Sequence, residues 1–405
     1  MGGDILSLGK KIIVFSIGSI AILLFIFVIS FMIYIKKTDA IVLSSDLTCH
    51  YRDVVYADQF IKSIDGVLLD KYLVDTSVVG KRKIEIQYKN RYGFVEQKVF
   101  EITVKDVTPP VIVVSNPLVV HIDEVDHLLD VILCADDYDD NISCVLKGDY
   151  DLGKVGEYSL TISAMDKSGN EETKDFNLKV LEKDDKKNNP SSSVKKKIAF
   201  KDVYQKYKTI DTEIGVDLSK WQGGVDFSKL VSSGVSFVMI KIGGQKEIGG
   251  DISLDPKFEQ NIKGALQNHL KVGVYFYSYA RNENEARKQA RWVVQNLRGY
   301  DIDLPIAFDW ENWDKYSKFG IGFRTLNRIA SSFIHDVKHY NYNGILYSSK
   351  YYLENIWYQE EYDKWIAYYT DHFDYHEDYY IWQLCNNGRV DGIDGDVDID
   401  VLKIK

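Results

Sequence analysis

Residues Glu182 to Lys197 are nearly all Lys, Asp, Asn and Ser with one proline. Such a stretch is too polar to bury anything, so it reads as a flexible linker, taken as 183–210. It rules out a single core running through the whole chain. The apolar patterns on its two sides also differ. Upstream they alternate with period two, as half-buried strands do; downstream, from Ile214, short apolar strands are separated by helical stretches. At 405 residues the chain has room for two to four units.

The upstream part repeats itself at an offset of 76 residues, Val79-Gly80 through Val104 against Val155-Gly156 through Val180. Lys83–Tyr88 and Ser159–Ala164 alternate as strands, and Asn90-Arg91-Tyr92-Gly93 and Lys167-Ser168-Gly169-Asn170 supply hairpin turns. Two all-β sandwiches over 40–107 and 108–182 fit this pattern. The acidic run Asp136-Asp137-Tyr138-Asp139-Asp140-Asn141 lacks the turn glycine and distant glutamate of an EF-hand loop, and reads as a solvated turn.

Ahead of the repeats, Ile12 to Ile35 is 24 residues without charge or proline, flanked by lysine pairs. As a helix it would be about 36 Å long, enough for a ~30 Å hydrocarbon layer, and no small-residue cleavage site follows. The expectation is a transmembrane signal anchor over 12–35 with a short cytoplasmic segment, 1–11. Balanced lysines leave its orientation open. The net charge of −10 argues against a nucleic-acid partner. Four scattered cysteines make neither a disulfide framework nor a zinc site. Cys134 and Cys144 could bridge in an oxidising compartment or stay as buried thiols.

In the downstream part, 211–405, eight candidate strands run from Gly215–Leu218 to Val397–Val401, with helices over Pro256–Gln267, Glu283–Leu297 and Phe323–His339. This alternation implies an α/β fold, an irregular TIM-like (β/α) barrel with some helices shortened or missing. Active sites of such barrels lie at the C-terminal strand ends, where Asp217, Asp309, Glu311 and Asp398 stand. Asp309 and Glu311 are separated by one residue, so on an extended chain they share a face while Trp310 takes the other. Two carboxylates in one pocket can supply what glycosidic cleavage needs, a proton for the leaving oxygen and a negative group for the oxocarbenium-like transition state. Asp-x-Glu alone recurs by chance among 60 acidic residues. At the end of the buried strand Leu304–Phe308, however, two acids are costly without a function or a partner. Candidate sugar-binding side chains beside them are Trp221, Gln222, Tyr275, Tyr277, Trp365, Tyr369, Trp382 and Gln383, since aromatic faces pack on sugar rings and amides bind hydroxyls.

The order Gly215-Val216-Asp217-Leu218-Ser219-Lys220-Trp221-Gln222-Gly223, Asp255-Pro256-Lys257-Phe258 with Asn261, Val272-Gly273-Val274-Tyr275, Leu304 through Glu311, Trp365-Ile366-Ala367, Ile381-Trp382-Gln383 and Gly392 through Asp398 resembles the family 25 glycoside hydrolases over about 190 residues. These are lysozymes, or N-acetylmuramidases, that cut peptidoglycan. The resemblance implies hydrolysis of the β-1,4 bond between N-acetylmuramic acid and N-acetylglucosamine, with no metal or other cofactor. By position Glu311 takes the general acid/base role and Asp309 orients the substrate's 2-acetamido group, while Asp217 and Asp398 shape the pocket. Two residues depart from the pattern, Lys241 where many members have arginine and Asp400 where many have asparagine. The upstream repeats are similar to the immunoglobulin-like (Ig-like) modules of bacterial surface proteins, which implies a stalk.

Together these readings describe a multidomain, membrane-anchored hydrolase of the bacterial cell wall, its catalytic domain extracytoplasmic, with peptidoglycan glycan strands as partner. The alternative is a surface adhesin that holds glycan on the same barrel without cleaving it.

Overall fold

The computed structural model describes residues 20–31, 40–183, 196–358, 362–370 and 372–404. They fall into two compact units, Met1–Val107 and Thr108–Lys405. The expected anchor is corrected. Its described portion, 20–31, is an exposed helix, and among the described residues no helix is long and apolar enough to cross a membrane. The rest of Ile12–Ile35, with the segment 1–11, lies outside the described residues.

Each repeat forms one long hairpin, Gly80–Asn90 with Val95–Lys105 and Gly156–Met165 with Glu171–Leu181. Gly93 and Gly169 sit in the two turns at φ of 86° and 90°, where a side chain would be strained. These modules are not the two antiparallel sheets of an Ig-like sandwich. In the first, a four-stranded sheet carries Thr48–His50 parallel to Val95–Lys105, and a separate ribbon pairs Ile41–Leu43 with Ile61–Ile64. The second repeats the plan, with Leu118–His121 parallel to Glu171–Leu181 and a ribbon of Val111–Val113 with Leu133–Ala135. In each module an early short strand runs beside the last long strand in the same direction, so the period-two pattern was right while the topology was not.

The linker expectation over 183–210 is also corrected. Residues 184–195 lie outside the described residues, but Ile198–Ala199 pairs with Gly388 and Arg389, and the helix Phe200–Tyr207 buries Phe200 and Val203 in the main core. The acidic run of the second module is not a solvated turn either. Asp136 is fully buried, and its Oδ2 accepts the amides of Tyr138 (2.8 Å) and Asp139 (2.7 Å). The Cys134 and Cys144 thiols are both free and hydrogen-bond each other across the module's two sheets, which pushes Cys134 up and Cys144 down.

The remaining strands are β1 (Thr212–Leu218), β2 (Phe237–Gly244), β3 (Lys271–Tyr277), β4 (Ile306–Asp309), β5 (Gly344–Ser349), β6 (Lys364–Ala367), β7 (Ile381–Arg389) and β8 (Val397–Lys403). Neighbours from β1 to β7 are parallel, and β8 pairs antiparallel with both β7 and β1, which closes the sheet. Five helices cover the crossovers: α1 (Phe227–Ser232), α2 (Phe258–Gln267), α3 (Glu283–Asn296), α4 (Phe323–Lys338) and α5 (Lys350–Asn355). The result is a closed mixed sheet and not the expected TIM-like (β/α) barrel, which needs eight parallel strands each followed by a helix. Among the described residues no helix lies between β6 and β7, and the short connection from β7 to β8 leaves no length for a crossover, so the last strand must run back.

Alternation along each strand sorts the side chains. Outward residues such as Ile214, Val216, Val238, Ile240, Val274, Phe276 and Phe308 pack under the helices. Inward residues Phe237, Met239, Ala307, Ile345, Trp365, Ile381 and Leu402 fill the centre of the sheet. Burying each large apolar side chain is worth about 1.5–3 kcal/mol, which fixes the strand register and with it every inward polar residue.

Candidate active site

Toward the C-terminal ends of the parallel strands the inward positions turn polar: Asp217 on β1, Lys241 on β2, Tyr275 and Tyr277 on β3, Asp309 on β4, Tyr347 on β5 and Gln383 on β7. From the opposite direction β8 brings Asp398 opposite Asp217 and Asp400 opposite Gly215. Asp309 sits between Tyr277 and Tyr347 across the sheet. Trp310 is fully buried and packs outward against Trp313, Tyr316 and Phe319, so Glu311 returns to the inner side. The chain beyond it is held by Asn312, whose Nδ2 donates to Ser278 O at 3.1 Å, while the Ser278 amide donates to Asp309 O at 2.7 Å.

Asp309 and Glu311 form one coupled pair. Burial, then the neighbouring Glu311 charge, raises Asp309 well above the usual carboxylate range; Lys241 opposes the shift. Glu311 is also raised by its enclosed surroundings, although its carboxyl opens to solvent, with Asp309's hydrogen bond and Lys241 opposing. Both carboxyls are thus raised, with burial as the leading cause for each. Asp309 Oδ1 is buried with no hydrogen-bond partner among the described residues. Lys241 Nζ lies 4.6 Å from the Tyr277 ring centre and 5.7 Å from that of Tyr275, so its charge rests on aromatic faces near the pair.

A second polar group is organised by Gln383. Its Nε2 donates to Asp217 Oδ2 (2.8 Å) and Asp398 Oδ2 (3.2 Å), and its Oε1 accepts from the Tyr347 (3.0 Å) and Tyr369 (2.7 Å) hydroxyls. Asp217 is raised well above its usual range by burial and then by Asp398 and Asp400. Burial likewise raises Asp400, whose Oδ1 accepts the Trp365 indole N–H at 2.8 Å. Asp398 is pushed up to about 6, chiefly by burial, against the hydrogen bond from Asp217.

This last shift has a consequence for stability. An unfolded aspartate titrates near 4, so between about pH 4 and 6 the folded chain holds the extra proton at Asp398. The stabilisation is full below about pH 4 and is lost as pH rises through about 6. Asp398→Asn is expected to match the parent at pH 4 and to exceed it at pH 7 by on the order of 1–2 kcal/mol, read from urea midpoints. A difference that does not change with pH would contradict the assignment.

Above the pair opens a cleft of about 590 Å³ lined by Glu311, Trp313, Tyr347, Lys350, Tyr352 and Tyr369 among others. Of the sequence-predicted sugar contacts, Tyr369 lines it, Tyr275 and Tyr277 flank Lys241, and Gln383 sits beneath it. Trp221 is 79% exposed on the turn after β1, with the Lys220 ammonium over its ring. Three expectations are corrected. Gln222 is spent on its own turn, Oε1 accepting the Ser219 amide at 2.8 Å. Trp365 lies under the floor at 2% exposure, edge-on to Tyr347 and Tyr275. Trp382 faces outward into the main core, its indole donating to Tyr368 O. Sequence reading missed Tyr347, although strict alternation from Ile345 places it inward, and it missed the cleft wall of Trp313 and Tyr352, stacked at 3.8 Å across distant segments.

An aromatic-walled cleft with Glu311 in its lining thus stands at the strand ends of a closed sheet, next to the buried Asp309. Residues 216–393 match the family described as Glycosyl hydrolases family 25. The chain thus carries a glycoside hydrolase family 25 domain. Over 193 residues it is 28% identical to the uncharacterized protein YegX of Escherichia coli K12, covering 46% of this chain and 68% of that one. Over 196 residues it is 27% identical to the autolytic lysozyme of Clostridium acetobutylicum, covering 46% of this chain and 54% of the relative. Among solved structures, the modular autolysin LytC of Streptococcus pneumoniae, in complex with a synthetic peptidoglycan ligand, is 23% identical with a TM-score of 0.44 over 60% of this chain and 56% of that one. A family 25 glycosyl hydrolase from Bacillus anthracis is 22% identical with a TM-score of 0.40, covering 48% and 89%. The match spans little more than half of the autolytic lysozyme and of LytC.

Proposed function

We propose that this chain is a peptidoglycan lysozyme that cleaves the β-1,4 bond between N-acetylmuramic acid and N-acetylglucosamine, acting on the cell-wall side of the envelope. The observation that carries the reading is the Asp309–Glu311 pair: two neighbouring carboxyls, both raised by burial, with Glu311 lining an open, aromatic-walled cleft. The family 25 match and the likeness to an autolytic lysozyme support peptidoglycan as the substrate class.

With glycan bound, the pair's proton rests on Glu311 and Asp309 is ionised. Glu311 donates it to the leaving glycosidic oxygen while the substrate's acetamido oxygen attacks the anomeric carbon. Asp309, then ionised beside Lys241, holds the acetamido N–H and supports the positive charge that develops on that group. Glu311, now a carboxylate, takes a proton from the water that opens the cyclic intermediate, which restores its acid form. Asp217 and Asp398, tied by Gln383, keep the far side of the pocket acidic and rigid.

Digestion of insoluble peptidoglycan by the purified full chain, with products read by mass spectrometry, tests this. Fragments ending in reducing N-acetylmuramic acid are expected. Preferential release from chitin-like glycans would reassign the substrate, and pelleting with peptidoglycan without any product would favour a glycan-binding surface protein.

A further inference from the structure

Helix α4 supplies no side-chain cap of its own; its N-cap is Gly322. The cap comes from the second all-β module. Asp140 Oδ1 accepts the Gly322 amide at 2.7 Å, and the Asp136 carbonyl accepts the Phe323 amide at 2.7 Å. A carboxylate at a helix N-terminus satisfies an orphan N–H and complements the helix dipole. The approach is close enough that a Cβ on Gly322 would meet Asp139 O at 2.6 Å, so the position demands glycine. Further contacts bind the same loop: the Tyr358 hydroxyl donates to Asp137 O at 2.8 Å, and the Arg324 guanidinium lies 4.9 Å from the Tyr138 ring centre. The loop itself is stiff, since Asp136 closes its turn and Asp139 Oδ2 accepts the Lys167 amide at 2.9 Å. Leu133 and Ala135, on the strand leading into it, pack in the hydrolase core.

Between Glu311 and α4 runs the turn Trp313–Phe319. One end is pinned by Asn312 to Ser278, the other by Gly322 to the loop. The module's turn Leu128–Val131 packs against it. Trp313, which stacks on Tyr352 in the cleft wall, rides on this segment.

We propose that the Asp136–Asp140 loop is a positioning element of the hydrolase site, with Asp140 as the positioning residue that caps α4 and fixes the segment from Glu311 to Gly322. The module 108–182 is then part of the catalytic unit rather than a spacer ahead of it. This rests on the proposed glycan hydrolysis, so the test carries one readout that does not.

In the full chain, Asp140→Ala is expected to lower kcat on peptidoglycan by about tenfold or more, because misplacing a catalytic segment costs far more rate than affinity, with KM changed by less than about threefold. Asp140→Asn keeps the accepting oxygen and should recover most of the rate. Deuterium exchange at the Gly322 and Phe323 amides should quicken in Asp140→Ala whatever the activity. As control, Asp226→Ala removes the side-chain cap of α1, where Asp226 Oδ1 accepts the Lys229 amide, and should leave kcat unchanged. Unchanged kcat and exchange in Asp140→Ala, or an equal kcat loss in Asp226→Ala, would overturn the proposal. If the parent chain cleaves no glycan yet exchange quickens, the function assigned to the site fails and the cap stands.

Discussion

Glu311→Gln is expected to reduce kcat on peptidoglycan by roughly a thousandfold, within the range that a positioned general acid contributes. The amide has the shape of the acid but can neither give up a proton nor take one from water, so both halves of the reaction lose their proton carrier. Folding should not suffer. With the Glu311 charge gone, one of the causes that raises Asp309 disappears, and Asp309 should titrate lower than in the parent. For a raised carboxyl the sign is fixed: its stabilisation is present at low pH and lost as pH rises through the folded value, so lowering Asp309 reduces that loss at neutrality. The variant is therefore expected to melt no lower than the parent at pH 7 while being nearly inactive. Turnover at the parent rate would remove Glu311 from the mechanism; low activity together with a collapsed melting transition would point to misfolding instead.

Gln383→Leu should be the most damaging single change to stability near the site. One amide serves two carboxylates and two tyrosine hydroxyls, and leucine of similar size serves none. Leaving a buried polar group unpaired costs about 1–3 kcal/mol, and more where it is charged. Four groups lose a partner here, some of which can turn to water in the cleft, so a loss of about 3–5 kcal/mol is expected by urea denaturation. Asp217 and Asp398 also lose a donor that favours their ionised forms, and Asp217 in particular should be pushed higher still. The penalty should consequently be smaller at pH 4, where these carboxyls are protonated and can donate to the tyrosines or to each other. A loss under about 1 kcal/mol at pH 7 would show that the network is not what holds the floor together.

Much of this site is legible in one dimension because strands sort their side chains by parity. Asp309 and Glu311 about an outward Trp310, and Asp217 between Val216 and Leu218, follow from alternation alone. The same rule, applied to Ile381-Trp382-Gln383, separates Trp382 from the cleft once Gln383 is placed inside, and treating the triplet as one sugar-binding unit overlooked it. Trp365 is inward by parity but sits one level too deep, a matter of strand stagger that spacing does not reveal. The partner of α4 was illegible for a different reason. An acidic run with no metal-loop pattern looks like solvated surface until another part of the chain offers it unpaired amides. Sheet closure was misjudged because apolar strands read the same in both directions, and only the short connection before β8 told that it must run antiparallel.

That antiparallel strand also bears on how the sheet is assembled. Thr212 on β1 pairs with Lys403 on β8, so the closing ladder joins opposite ends of the domain's sequence. Loop-closure entropy for such a contact is paid late, after the parallel strands have formed one by one. Until then β1 and β7 are bare edges with unpaired backbone groups, open to pairing with another chain. Refolding from denaturant should accordingly be slow and sensitive to protein concentration, with aggregation competing until β8 is seated.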